Sequence, residues 1–232
     1  MFEEDIKAFE NRIGYHFKDK SLIKLALTHS SYANEVKTGK RVNNERLEFL
    51  GDAVLELGIS EYIYRVFSEM PEGELTKLRA GVVCESSLAK RAREYNISEY
   101  ILLGKGEETS RHNMRDSILA DAFEAIIGAI YLDSGFETAK EFLLKSLAGY
   151  IEEIKDNFRI LDCKTRLQEI IQKNGHNVLT YEIVGESGPD HNKVFYSNVS
   201  LNGEVVGKGE GHSKKEADQA AAMDALKAIG EY

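Results

Sequence analysis

Carboxylates stand inside strongly apolar helical sequence at two places in this chain of 232 residues. The first acidic cluster runs from Glu45 to Asp52 and the second from Asp116 to Glu124. An unpaired charge is costly to bury, so acids kept in such sequence usually have a cation to hold. Ligands that are all oxygen favour magnesium or manganese. The two clusters therefore predict two helices that supply carboxylates to one or two divalent ions.

The spacing of the acids supports this prediction. On a helix, the first cluster and its continuation place four acids within about 80° of one another; these are Glu45, Glu48, Asp52 and Glu56. A separate core-facing stripe is expected from Leu47, Leu50, Val54 and Leu57. On the second helix, Asp121 and Glu124 share a face with small residues, which leave room for a close helix or a hydrated ion.

An alternative interpretation is that these acids form a solvated helix face with basic partners four residues away. For Glu45 and Glu56 the sequence leaves this alternative open, since basic groups such as Arg46 are near. For Asp121 and Glu124 the apolar run around them favours a metal site. Two ions about 4 Å apart are a known arrangement for phosphodiester hydrolysis.

The apolar periodicity is helical up to about residue 150 and then changes. Long helices are expected over 44–68 and 115–132, and the helical period fades near 152–159. A short helix is then expected over 165–173, followed by strands at 179–184, 194–201 and 204–209. Asn202-Gly203 predicts a tight hairpin between the last two strands. The sequence thus predicts an all-α domain over 1–155, a linker over 156–161 and an αβββα domain over 162–232.

Bulk properties narrow the function classes. The net charge of −9 argues against nucleic-acid binding over the whole surface, although it permits a local basic patch. No apolar run reaches the roughly 18 residues of a membrane helix, and the acidic N-terminus is unlike a secretory signal. Two cysteines fit reduced thiols. We expect a cytoplasmic protein that does not contact a membrane.

The last helix carries a phosphate-binding signature. Ser213 and Glu216 match a capping box, and Lys214 and Lys215 occupy the first turn, where the helix dipole disfavours cations. Lysines at a helix N-terminus make a good phosphate site. Two further polar surfaces are the loop containing His191 and the helix face formed by Thr165, Gln168, Glu169 and Gln172. For each of them, an ordinary solvated surface is the alternative. Three such surfaces on one αβββα unit suit duplex RNA.

The segment Asn44-Glu45-Arg46-Leu47-Glu48-Phe49-Leu50-Gly51-Asp52-Ala53 resembles the signature of bacterial ribonuclease III. Leu103 to Glu108 and Asp116 to Glu124 resemble that family's second acidic motif. Three segments beyond residue 161 resemble its double-stranded-RNA-binding domain: Asp-x-Lys-Thr-x-Leu-Gln-Glu, Gly-Pro-Asp-His-x-Lys-x-Phe and Gly-x-Gly-x-Ser-Lys-Lys-x-Ala. The resemblance covers nearly the whole chain.

The resemblance implies a magnesium-dependent endoribonuclease that cuts duplex RNA, leaving 5′-phosphate and 3′-hydroxyl ends with a short 3′ overhang. Its substrates would be ribosomal RNA precursors and some messenger and transfer RNAs. It implies metal-binding acids, of which Asp52 and Glu124 are also catalytic, at Glu48, Asp52, Asp121 and Glu124. It also implies accessory acids at Glu45 and Glu72, and a homodimer into whose partner subunit Phe49 inserts. RNA contacts would come from Thr165, Gln168, Glu169, His191, Ser213, Lys214 and Lys215.

A second hypothesis is a non-catalytic binder of duplex RNA whose helical domain serves dimerisation. Such a protein would have no need for four acids at these spacings. The RNA-binding segment is itself acidic, because eight Lys and Arg stand against eleven Asp and Glu from Asp162 onward. Its basic patch must therefore be compact.

Overall fold

The computed structural model describes residues 3–35, 42–109, 111–161, 163–173, 177–189 and 192–230. The predicted contact residue His191 lies outside these ranges. Contacts divide the chain into two compact units, Met1–Ile154 and Lys155–Tyr232. None of the described helices combines the length and the apolar character that crossing a bilayer requires.

The first unit is helical. Its helices are α1 (Glu3–Ile13), α2 (Lys20–Ala26), α3 (Ser30–Glu35), α4 (Glu45–Val66), α5 (Glu72–Val82), α6 (Glu85–Glu94), α7 (Lys105–Glu108), α8 (Asp116–Ser134) and α9 (Phe136–Leu161). Helices α4 and α8 contain the two acidic clusters and match the two predicted long helices.

Helix α8 is the centre of this unit. Nearly every side chain from Ile118 to Ile130 is buried, apart from Asp121 and Glu124, which are half-buried. A helix that is apolar almost all round must be covered on all sides. Helices α2, α4 and α6 pack around it. The helix ends at Gly135, whose positive φ of 83° suits glycine.

Helices α4 and α8 touch backbone to backbone at two glycines. A Cβ on Gly51 would lie 1.8 Å from the carbonyl oxygen of Glu124, and a Cβ on Gly128 would lie 2.3 Å from that of Leu47. Only glycine allows this approach. The expectation that small residues beside the second acidic cluster admit a close helix is therefore confirmed.

The predicted core stripe of α4 is partly wrong. Leu47 and Val54 are buried, but Leu57 is 58% exposed. The buried side of α4 instead passes through Gly51, Leu55, Gly58 and Ile59. Glycines have no side chain to reveal a core position, so the apolar periodicity favoured the neighbouring face.

The second unit has the predicted αβββα order. Its elements are α10 (Cys163–Lys173), β1 (Leu179–Ser187), β2 (Val194–Leu201), β3 (Glu204–Gly211) and α11 (Lys214–Ala228). The sheet is antiparallel in the order β1-β2-β3. Its core joins Leu167, Val199, Ala221 and Leu226. Asn202 and Gly203 have φ of 52° and 92°, as the predicted hairpin turn requires.

The segment 156–161, which the sequence predicted as a linker, is helical and forms the last part of α9. The two compact units divide at Ile154 and Lys155. The domain limits drawn from the sequence stay a prediction.

Candidate metal centre and nucleic-acid interface

Three acids from α4 and α8 come together. One carboxylate oxygen from each of Glu48, Asp121 and Glu124 lies within 4.8 Å of the others, and all three side chains are half-buried. The glycine contact between the helices brings these acids close. Two of the three come from α8 and one from α4, so neither helix makes the cluster alone.

Glu124 has the most perturbed titration of the cluster. Burial, followed by the negative charges of Asp52, Asp121 and Glu48, raises the pKa of Glu124 to about 8. Burial disfavours an ionised carboxyl, and neighbouring carboxylates disfavour it further. Without a cation this site therefore favours the protonated form of Glu124 at neutral pH.

The other two acids are shifted in the same direction. Burial raises the pKa of Glu48, and the charges of Asp121, Glu45 and Asp52 add to the shift. Burial also raises the pKa of Asp121, while His29 opposes the shift and Glu85 adds to it. A bound cation would reverse these penalties, because it favours the ionised form of each acid.

These residues fit a hard divalent cation. The donor set is made of carboxylate oxygens, which magnesium and manganese prefer. The acids converge from two helices, are half-buried and destabilise one another when ionised. An oxygen-ligated cation would relieve that repulsion.

The fourth predicted metal ligand, Asp52, lies outside the group of three acids. It is exposed one turn along α4 from Glu48, and its charge acts on both Glu48 and Glu124. Glu45 is also exposed at the start of α4, and its charge acts on Glu48. The catalytic and accessory roles predicted for these two acids stay predictions.

Two further predicted residues lie apart from the three acids. Glu72 accepts a hydrogen bond from Thr76 Oγ1 at 3.0 Å and lines a groove of about 340 Å³ between α4 and α5. Phe49 is 80% exposed although it is a large apolar side chain within α4. Its exposure fits the interface role predicted for it but does not test that role.

The predicted RNA-contact face of α10 is exposed. Thr165, Gln168 and Glu169 face solvent, while Leu167 and Ile171 pack into the core. This division follows the amphipathic period of the helix. The polar face is available to a ligand.

The N-terminus of α11 has the predicted cap. The Ser213 hydroxyl accepts a hydrogen bond from the Glu216 backbone N–H at 3.2 Å, and Glu216 accepts one from the His212 N–H at 2.9 Å. Lys214 and Lys215 are exposed in the first turn. The cap fixes the backbone at the point where these two cations are presented.

Two charged neighbours of the acidic cluster were missed in the sequence. His29 and Glu85 both influence the pKa of Asp121, from the turn before α3 and from the start of α6. Neither stands in a periodic acidic pattern. Only the fold brings them near Asp121.

Family models match both units. A ribonuclease-III-like model matches residues 19–151, and a double-stranded RNA binding motif matches residues 163–229. The first match contains both acidic clusters. The second contains α10, the sheet and α11.

Similar proteins extend over nearly the whole chain. Ribonuclease 3 from Caldanaerobacter subterraneus subsp. tengcongensis is 51% identical over 221 residues, which cover 95% of this chain and 96% of that protein. Ribonuclease 3 from Bacillus cereus strain G9842 is 49% identical over 230 residues, which cover 99% of this chain and 94% of that protein.

A solved structure resembles the first unit. It is the nuclease domain of ribonuclease III from Campylobacter jejuni, described for flexibility in a region involved in dimer formation. The TM-score is 0.57 and the identity 48%, over 61% of this chain and 95% of that domain.

Proposed function

The chain belongs to the ribonuclease III family, and from this premise we propose that its clustered acids bind magnesium to hydrolyse duplex RNA. The chain is an endoribonuclease acting on double-stranded RNA, with a helical nuclease domain and a double-stranded-RNA-binding domain. The identity of the ion, the roles of individual residues, the products and the cellular substrates form the proposal.

One observation carries the proposal of a metal site. Glu48, Asp121 and Glu124 offer oxygens within 4.8 Å of one another, in a place where burial and mutual repulsion oppose their ionisation. Such an arrangement is unfavourable without a cation. We assign one or two magnesium ions to it, with manganese as a substitute.

Each acid then has a role. Glu48, Asp121 and Glu124 would hold the cation, and Glu124 would be in its ionised form when it does so. Asp52 is exposed one turn from Glu48, and its charge contributes to the raised pKa of Glu124; it would complete the ligand set and orient the attacking water. When bound, the ions supply an activated water and offset charge at the phosphorus centre and the leaving oxygen.

The RNA-binding domain positions the duplex. Lys214 and Lys215 contact phosphates at the capped start of α11, and the polar face of α10 contacts the groove. Phosphate contacts of this kind carry little sequence information. Which duplex is cut therefore depends on its shape and on the nuclease domain.

We also propose a homodimer with one active site for each strand. Three exposed apolar side chains on α4 support the homodimer; they are Phe49, Leu57 and Tyr64. On the helix they fall within about 80° of one another. A large exposed apolar patch marks an interface. Two symmetric sites would leave 5′-phosphate and 3′-hydroxyl ends with a short 3′ overhang. The expected substrates are ribosomal RNA precursors and some messenger and transfer RNAs in the cytoplasm.

The test is cleavage of a long, end-labelled RNA duplex. We expect cutting with magnesium or manganese, none with a chelator, and sequenced ends of the kind described above. Glu124→Gln keeps the shape of the side chain but removes the charge, so cleavage should fall by at least about 100-fold while duplex binding persists.

The matched control is Glu141→Gln, on an exposed position of α9 away from the cluster. It should cut like the parent chain. Duplex binding without magnesium-dependent cutting by the parent would instead favour the non-catalytic binder, and full activity in Glu124→Gln would remove the proposed role of the cluster.

A further inference from the structure

His29 is held rigidly in the turn between α2 and α3. Its backbone N–H donates to the Leu102 carbonyl at 3.1 Å, and its ring Nδ1 lies 2.8 Å from Ser31 Oγ and 3.2 Å from the Ser31 N–H. Ser31 Oγ in turn accepts from the Gly104 N–H at 2.9 Å. Both the backbone and the ring of His29 are therefore fixed by neighbouring segments.

These contacts also fix the tautomer. Nδ1 accepts the Ser31 N–H, and Ser31 Oγ, which accepts from Gly104, has its own hydrogen to donate to Nδ1. An imidazole nitrogen that accepts a hydrogen bond carries no proton, so the ring proton lies on Nε2. Within the described ranges, Nε2–H has no hydrogen-bond partner, and the side chain is half-buried.

This turn is tied to the acidic cluster. The Asn44 N–H donates to the Thr28 carbonyl at 2.9 Å, and buried Asn44 immediately precedes α4 and its ligand Glu48. His29 also influences Asp121 on α8 electrostatically, since a protonated imidazole there would lower the pKa of Asp121. The turn therefore contacts the start of one acidic helix, and its imidazole lies near an acid of the other.

His29 differs in chemistry from its surroundings. In the described part of the chain, the other titratable neighbours that shift the pKa values of Glu48, Asp121 and Glu124, in addition to burial, are all carboxylates. Carboxylates repel the phosphates of an incoming RNA strand. A fixed N–H donor beside them would offset part of this repulsion, because hydrogen bonds to phosphate oxygens are strong.

We propose that His29 is a further substrate-contacting residue of the nuclease site, donating its Nε2–H to a phosphate oxygen of the strand being cut. The inference rests on the proposed function and adds a contact to it. Ser31 and Gly104 act as positioning groups, since they hold the ring and keep the proton on Nε2.

Two substitutions separate the ring nitrogens. Asn at position 29 retains a polar group near Nδ1 but has none at Nε2, whereas Gln places an NH₂ group near Nε2. For duplex RNA with magnesium, we expect His29→Asn to lower kcat/KM by about 10- to 100-fold. His29→Gln should recover most of that loss. Because the contact is with RNA, the shift of the unfolding midpoint on adding magnesium should be the same in both variants as in the parent.

The control is His16→Asn, at an exposed histidine that contacts Glu10 instead of the cluster. It should cleave like the parent. Parent-like kcat/KM in His29→Asn, or an equal loss in both position-29 variants, would overturn the contact. If His29→Asn is unstable, a folded but inactive His29→Gln would overturn it as well. Failure of the parent chain to cleave would reject the proposed function and this inference with it, whereas the other outcomes concern His29 alone.

Discussion

The Glu124 carboxyl stands where α8 meets α4, and its chemistry depends on whether a cation is present. Burial and three neighbouring acids raise the pKa of Glu124 to about 8, against an ordinary value of 4.5. The folded protein without metal therefore binds more protons than the unfolded chain between these two pH values. The contribution of Glu124 to the free energy of unfolding therefore falls as the pH rises through that window.

The first prediction is that metal-free protein loses about 3 kcal/mol of stability between pH 5 and pH 8 through Glu124, after allowance for partial solvent exposure. Glu124→Gln should show a flatter profile. Urea unfolding in chelator, at several pH values, measures both. If the stability of the parent chain depended on pH in the same way as that of Glu124→Gln, the raised pKa of Glu124 would be contradicted.

At the residue scale, the sequence predicted the acids of the cluster but not the residues that the fold places near them. Glu48, Asp121 and Glu124 could be selected because a carboxylate in apolar helical sequence is a local anomaly. Asp52 satisfied the same rule but lies outside the group of three acids, since helical spacing does not specify how far each side chain reaches. His29 has no local anomaly, and its proximity to Asp121 arises only from folding.

At the scale of elements, α4 and α8 approach each other at the backbone, at Gly51 and Gly128. Gly51→Ala would place a methyl group 1.8 Å from the Glu124 carbonyl oxygen, so the helices must separate. We expect a loss of about 3 kcal/mol or more, with weaker magnesium binding. Chemical denaturation with and without magnesium measures both effects.

Gly149→Ala provides the comparison. Gly149 is exposed within α9, and nothing described lies within 4 Å of a Cβ built there. This change should stabilise the helix by about 0.5–1 kcal/mol. Equal effects at the two glycines would show that the close approach of α4 and α8 is unimportant.

The start of α11 leads to a third prediction. Replacing both Lys214 and Lys215 by Ala should weaken duplex binding for every sequence. Affinity should also fall less steeply with salt, with the magnitude of the slope of log affinity against log salt reduced by about 1 to 2. Lys227→Ala, at the other end of the same helix, should leave the slope unchanged. Binding titrations at several salt concentrations test this. A slope that the double variant does not alter would refute the phosphate contacts.

Local signals predicted the elements of the second unit well. Asn202 and Gly203 predicted their hairpin because the turn needs positive φ at both residues, and the structure has it. The strand at 194–201 has the predicted limits. The prediction that Leu57 lies in the core was wrong, because periodicity identifies an apolar face but does not reveal whether the rest of this chain covers that face.

At the scale of the whole molecule, the exposed apolar side chains of α4 point to a second copy of the chain as the proposed partner. Phe49→Asp should shift a dimer toward monomer, because it would bury an unpaired charge in the proposed interface. Leu132→Asp is the control, since Leu132 is also exposed but lies on α8. Light scattering over a concentration series measures the shift. A monomeric parent chain would contradict the proposed homodimer.

The order of domains could be predicted because the apolar period changes from helical to alternating along the chain. The join between them could not be predicted in detail. Fading amphipathicity over 152–159 favours a domain junction there, and the structure shows that α9 continues as a helix to Leu161. A helix needs no apolar stripe where it is solvated, so loss of periodicity does not by itself mark its end.

The meeting of Gly51 and Gly128 with the opposite helix has a consequence for ion selection. Main-chain atoms approach there with no side chain between them, so the backbone sets the separation of α4 and α8 at these two points. In the proposed metal site, the spacing of the acids on the two helices would therefore depend on this backbone contact more than on the size of core side chains. In the proposed site, selection of small magnesium over the larger calcium ion would then rest on backbone geometry, which two missing methyl groups maintain.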